Sequence, residues 1–332
     1  MITKRLPTIL IFILVLGSHL LVAQKQLELG TVKWLRNLDE GKKVAMAQHK
    51  PIFLLFQEVP GCATCRNFGE AVLSHPLIVE AISTYFVPVA IFNNKNGHDA
   101  EVLAAYKEPA WNNPVIRIVD EGGKDLVPRH SGQYQPASVV KTINSALIKS
   151  NRLIPEYLVL LETELNADPA ELYLEMYCFW SGEKNIGAQP GVIYTEPGFS
   201  NGKEVVRVVF DDTATSAEKV AAQARKSGNA DAIHIKNGTS PVSVEGIRQA
   251  PLKNYTVDKD LHYYLKNSEY AALPLSPIQA TRINSALGNG TSPTIYLSPL
   301  QQQMLKDIKA GKLTKKVRYT AKPWYASWPE SF

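Results

Sequence analysis

The sequence predicts an α/β domain followed by an α+β domain, and three observations carry that expectation. Between residues 30 and 150 an unbroken apolar strand leads through a C-x-x-C pair into a helix, a second strand, a strand opened by Asn113-Pro114, a hairpin and a closing helix. From residue 170 to about 235 the succession becomes β-α-β-β-α-β, the split βαβ order. Between the two, residues 151–169 hold Ile154-Pro155 and Asn166-Ala167-Asp168-Pro169 and read as a junction, with room for a short helix from Tyr157 to Leu165.

A chain of 332 residues with 45% hydrophobic content is long enough for two cores. Residues 1–23 have the order of a secretory signal: Lys4 and Arg5, an apolar run from Ile9 to Leu16, and Val22-Ala23 as a cleavage site before Gln24. An uncleaved membrane anchor is the other reading, although the apolar run falls short of the ~20 residues a stable span wants. With Lys4 and Arg5 removed, 34 basic residues face 31 acidic ones, a balance that gives no reason to expect nucleic acid. Export implies a periplasmic or extracellular location.

In the first domain the apolar spacing of Leu35, Leu38, Val44 and Ala45 predicts a helix over 32–49, ended by Lys50-Pro51. Ile52 to Phe56 is a continuous apolar strand of the kind buried on both faces. Cys62 and Cys65 then fall within one helical turn, Phe68, Val72 and Leu73 mark their helix, and a second helix covers 77–84. Strands follow at 86–92 and 115–119, Glu121-Gly122-Gly123-Lys124 turns the chain into 125–128, and the helix 136–149 closes the unit.

In the second domain the expected elements are a strand over 171–177, a helix over 179–189, strands over 192–199 and 205–210, a helix over 216–226 and a strand over 232–235. Cys178 stands at a strand-to-helix junction, where free N–H groups and the helix dipole lower a thiol pKa and make a nucleophile. The alternative is a small buried thiol that only packs. Residues 241–276 read as mostly irregular. Ser276-Pro277 and Ser298-Pro299 each place serine at N-cap and proline at N1 of a helix. The basic and aromatic tail, residues 311–332, either packs on the body or meets a partner.

The order strand, Cys62-Ala63-Thr64-Cys65, helix, strand, Asn113-Pro114, hairpin, helix resembles a thioredoxin fold across the whole first domain. The resemblance implies that Cys62 attacks a disulfide, that Cys65 resolves the mixed disulfide, and that Pro114 is a cis-proline facing the pair and holding an incoming chain extended. A zinc half-site, a structural disulfide and, for Pro114, an ordinary strand-start proline are the competing readings. Zinc wants further ligands and a bridge between residues three apart gains little loop entropy, so no metal is expected. Val59-Pro60-Gly61 ahead of the pair is similar to a subgroup of exported thioredoxin-like proteins with a VPG-Cys box.

Cys178-Phe179-Trp180, Glu183, Pro190-Gly191-Val192, Thr195, Gly198-Phe199, Gly202 and Glu204-Val205-Val206-Arg207-Val208 before Phe210-Asp211 resemble, in the same order, the A-type peptide methionine sulfoxide reductases. Asp260 to Leu265 is weakly similar to their later tail. The resemblance implies a ferredoxin-like α+β core and an oxidised-methionine protein or peptide as substrate. It also implies Cys178 as the thiolate, Glu204 as the acid, and Phe179 and Trp180 around the methyl group. Without it, Phe179 and Trp180 read as core aromatics and Glu204 as a solvated strand residue. Glu183 matches the motif but is expected to be structural.

The chain departs from that family at Tyr177 and Ser181, where glycines stand, and lacks its tyrosine-bearing block between Gly202 and Glu204. Three cysteines in all leave the second domain without a resolving thiol of its own. The expected relay is attack of Cys62 on a Cys178 sulfenate and release by Cys65, favoured by fusion of the domains. No cofactor is expected, but an external thiol electron donor is, a membrane thiol transporter being one candidate. The alternative is a thiol-disulfide oxidoreductase whose second domain only binds.

Overall fold

The computed structural model describes residues 27–320 and 322–328. The signal sequence expected at 1–23 lies outside them. Among the described residues, no helix is long and apolar enough to cross a membrane.

The first body contains α1 (Leu38–Gln48), β1 (Ile52–Gln57), α2 (Ala63–Ala71), α3 (Pro76–Tyr85), β2 (Val87–Phe92), α4 (His98–Tyr106), β3 (Val115–Val119), β4 (His130–Ser131) and α5 (Pro136–Lys149). Its sheet runs β2-β1-β3-β4, with β1 parallel to β2 and the other pairs antiparallel. All six residues of β1 are buried, as an unbroken apolar run requires of a central strand.

Three elements here differ from expectation. α1 begins at Leu38 because Leu35 exchanges backbone hydrogen bonds with the β2 edge and Asn37 caps Glu40, so 32–37 is extended. The hairpin after β3 shrinks to a bridge between Val119 and Asp125, with β4 pairing only at 130–131. Pro128 has no N–H to offer a ladder there. α4 was not expected at all. It starts at Gly97 without a side-chain cap and buries little besides Val102 and Leu103.

α6 (Glu156–Asn166) replaces the anticipated junction with a wedge. Tyr157, Leu158 and Leu161 join the first core, while Leu160 packs with Ile193 and Ile278 of the second body. Asn144 donates to the Glu162 carboxylate at 2.7 Å on one side. On the other, Glu164 accepts from the Ser276 hydroxyl at 2.6 Å and the Ile278 N–H.

The second body comprises β5 (Pro169–Glu175), α7 (Phe179–Ile186), β6 (Val192–Ser200), β7 (Lys203–Asp211), α8 (Ala217–Lys226), β8 (Ala232–Ile235), β9 (Arg248–Pro251), β10 (Thr256–Val257), α9 (Tyr263–Lys266), α10 (Pro277–Gly288) and α11 (Pro299–Lys309). The sheet is mixed, in the order β10-β6-β7-β5-β8-β9. Its four inner strands are mutually antiparallel and, with α7 and α8, follow the β-α-β-β-α-β connectivity. Leu172, Leu174, Val206, Val208 and Phe210 face α7 and α8 across one core. β9 and β10 lie in the stretch expected to be irregular. Both are short and mostly exposed, and they lack the apolar alternation that marks a strand in sequence.

α10 and α11 both open on capping boxes, Ser276 with Gln279 and Ser298 with Gln301. The two buried glutamines also bond to each other at 2.9 and 3.0 Å, tying the helix starts together. The tail packs on the body: Tyr319 is buried with its hydroxyl on the Leu261 carbonyl, and Trp324 meets His75 edge-on.

Glu80, buried in α3, accepts from the Leu300 N–H at 2.6 Å across the seam between the bodies. Burial pushes its carboxyl from 4.5 up to about 7. A raised acid binds more protons folded than unfolded, so its contribution is complete below pH 4.5 and is lost as pH rises through about 7. Urea unfolding of Glu80→Gln should therefore show a flatter stability profile than the unmodified chain between these pH values, by about 1 kcal/mol or more per pH unit.

Candidate thiol sites

The first site forms where β1 ends and α2 begins. Cys62 is the N-cap of α2 and exposed, whereas Cys65 is buried in its first turn. Their sulfurs are 3.6 Å apart, free rather than bridged. The Cys62 thiol is held below its ordinary value, first by the Cys65 N–H aimed at its sulfur. Slight desolvation opposes this, and further bonds from Cys65 and Thr64 support it. Burial pushes the Cys65 thiol up to about 12, with Cys62 adding to the effect. One sulfur is thus prepared to attack and the other stays protonated until it is needed.

The approach loop is pinned from several sides. Glu28 accepts from the Gly61 N–H at 2.9 Å, and the buried Gln57 side chain donates to the carbonyls of Glu28 and Cys65. Asn94 bonds Val59 N–H and the Pro60 carbonyl. Gly61 is needed on steric grounds, since a Cβ there would lie 2.7 Å from the Cys65 Cβ and 2.3 Å from the Glu58 carbonyl. Asn113 Oδ1 accepts from the Cys65 thiol at 2.7 Å, which brings the start of β3 to the pair. Asn113-Pro114 is cis, as is Val59-Pro60. Trp111, 82% exposed, lies two residues before Asn113. The sequence reading missed the roles of Glu28, Gln57 and Asn113, which only the fold brings to Cys62 and Cys65.

The second site forms at the N-terminus of α7. Cys178 is the N-cap, half-buried, and Glu204 of β7 accepts from the Phe179 N–H at 2.8 Å. Phe179 packs on Trp180 and edge-on against Phe199, and Trp180 stacks on Tyr263 with ring centroids 4.2 Å apart. Tyr264 lies close enough to Cys178 to feel its charge, and its phenol is raised chiefly by burial. Tyr177, 93% exposed, has left β5, which ends two residues earlier. Thr195 and His262 surround the fully buried Glu183. Burial holds Glu183 well above the usual carboxylate range and brings His262 down to about 3, so both are neutral and act as packing polar groups beneath the helix. Tyr263 and Tyr264 were visible in sequence only within the weak tail resemblance.

The structure brings Cys62 and Cys65 together with Asn113, the residue before cis Pro114, on the Cys65 thiol, and separately Cys178, Glu204, Phe179 and Trp180. It does not bring the two groups together. Cys178 lies outside the cluster formed by Cys62 and Cys65. Among the described residues no contact joins Cys178 to Cys62 or Cys65 that would carry the direct transfer expected from fusion.

A family model described as thioredoxin-like matches residues 33–121. A solved structure described as a DsbH oxidoreductase is 23% identical, with 35% of this chain and 85% of that one covered at a TM-score of 0.31. A thioredoxin from Thermus thermophilus is 20% identical, with 36% and 90% covered at a TM-score of 0.32. No curated protein matches the chain. The first body therefore holds a thioredoxin-like domain over residues 33–121.

Proposed function

We propose that the protein is a thiol-disulfide oxidoreductase acting through Cys62 and Cys65. The observation that carries this reading is the asymmetric pair, with an exposed Cys62 held below its ordinary value and a Cys65 raised to about 12 beside it. The Cys62 thiolate attacks one sulfur of a substrate disulfide and the other leaves as thiolate. Cys65 then loses its proton and attacks the Cys62 sulfur, the mixed disulfide breaks, and the substrate leaves as thiols carrying the two electrons given up by the pair, which is now a disulfide. Trp111 and the chain around Pro114 form the surface a substrate strand would meet. Regeneration needs an external dithiol, and export by the N-terminal segment would put both partners outside the cytoplasm.

A second reading, favoured by Glu204 at the Phe179 N–H and by the aromatic cluster around Cys178, is reduction of methionine sulfoxide in the second body. Cys178 would take the sulfoxide oxygen, release methionine and become a sulfenic acid. A thiol condenses with it, expelling water, and a second thiol frees Cys178. With no contact between the pair and Cys178 among the described residues, those thiols would come from another molecule.

Single turnover separates the readings. The fully reduced protein is mixed with a methionine-S-sulfoxide peptide or with a disulfide peptide, and its thiols are located by mass spectrometry. A Cys62–Cys65 disulfide formed with the disulfide peptide is the expected result. Unchanged thiols with that substrate sink the first reading, and unchanged Cys178 with the sulfoxide sinks the second.

A further inference from the structure

Glu58 follows Gln57 at the end of β1, and its carboxylate has no part in the disulfide chemistry above. One of its oxygens and the sulfurs of Cys62 and Cys65 nevertheless lie within 4.8 Å of one another. The sulfurs are 3.6 Å apart. A tetrahedral zinc ion with bonds of about 2.3 Å to sulfur and 2.0 Å to oxygen sets two thiolates roughly 3.8 Å apart, and a thiolate and a carboxylate oxygen roughly 3.5 Å apart. The sulfur pair already has that spacing. The half-exposed Glu58 side chain closes the remainder by rotation.

We propose that the reduced protein binds one thiophilic divalent cation of the zinc class through Cys62, Cys65 and Glu58, with the fourth position open to water. The loop that carries Glu58 is held by Glu28 and Asn94, so the ligands are positioned before the ion arrives. Two thiolates select zinc-like ions over magnesium or calcium, and three negative ligands leave the site at −1 with the ion in place. Coordination removes the thiol proton through which Cys65 donates its hydrogen bond to Asn113, so binding releases protons and tightens as pH rises. Oxidation to the disulfide removes both thiolates and expels the ion. Metal binding and disulfide exchange therefore compete for the same two sulfurs, and the proposal shares that pair with the oxidoreductase reading without depending on its activity.

Cobalt titration of the reduced full chain tests this through the thiolate charge-transfer and tetrahedral d–d bands, with zinc affinity read by competition against a chromophoric chelator. One ion per chain is expected for the unmodified protein and for Cys178→Ser, and none for the Cys62–Cys65 disulfide form. Glu58→Gln should weaken zinc binding by about tenfold or more. Absence of binding at micromolar zinc overturns the proposal, as does undiminished affinity in Glu58→Gln or a stoichiometry of two chains per ion. Disulfide exchange measured in chelator keeps the two readings apart: exchange without zinc binding removes only the metal site, and zinc binding without exchange removes only the oxidoreductase.

Discussion

Replacing Cys62 with serine should lower disulfide reduction by the reduced protein by more than about a thousandfold, because a hydroxyl at that N-cap cannot form the anion that attacks. Replacing Cys65 should act one step later. Cys62 still attacks, but the mixed disulfide has no partner to break it, so the Cys65→Ser variant accumulates as a covalent adduct with the substrate peptide. Alkylation against pH gives an independent readout. Cys62 should react below the pH at which an ordinary thiol does, and Cys65 should stay unreactive until the pH approaches about 12, where burial has placed its thiol. Equal reactivity of the two sulfurs would remove the basis for assigning them different roles. So would a Cys65→Ser variant that turns over normally.

The second large effect concerns Cys178. Cys178→Ser should abolish single-turnover conversion of a methionine-S-sulfoxide peptide while leaving disulfide reduction by Cys62 and Cys65 intact, since the sites share no contact. In the unmodified protein the sulfenic acid at Cys178 should be trappable by a dimedone-type reagent, and it should persist in dilute protein, where no second molecule is near to resolve it. Rapid loss of that species independent of protein concentration would mean that the two bodies reach each other. If the unmodified chain produces no methionine at all, Cys178 is a helix-capping thiol and the second body a binding module.

Local pattern and tertiary structure contributed differently. β1, α5, α10 and α11 were legible because burial, proline at N1 and serine N-caps act within a few residues of sequence. α4, β9 and β10 were not, since each is short and held mainly by what it packs or pairs against. The sites divide in the same way. Cys62, Cys65 and Cys178 were visible as cysteines at helix starts, but Glu28 reaches Gly61 across 33 residues and Asn113 reaches Cys65 across 48. Tyr264 reaches Cys178 only because α9 folds back beside α7.

By itself the sequence determined two cores, a dithiol at the head of a helix in the first and a lone thiol at the head of a helix in the second. Period and capping are local, and they survive without knowledge of what lies opposite. Only the tertiary structure decided that α6 is a wedge buried by both bodies and that Glu58 joins the pair. Each of these depends on which face of an element meets another, and that choice is made by the packing of residues distant in the chain.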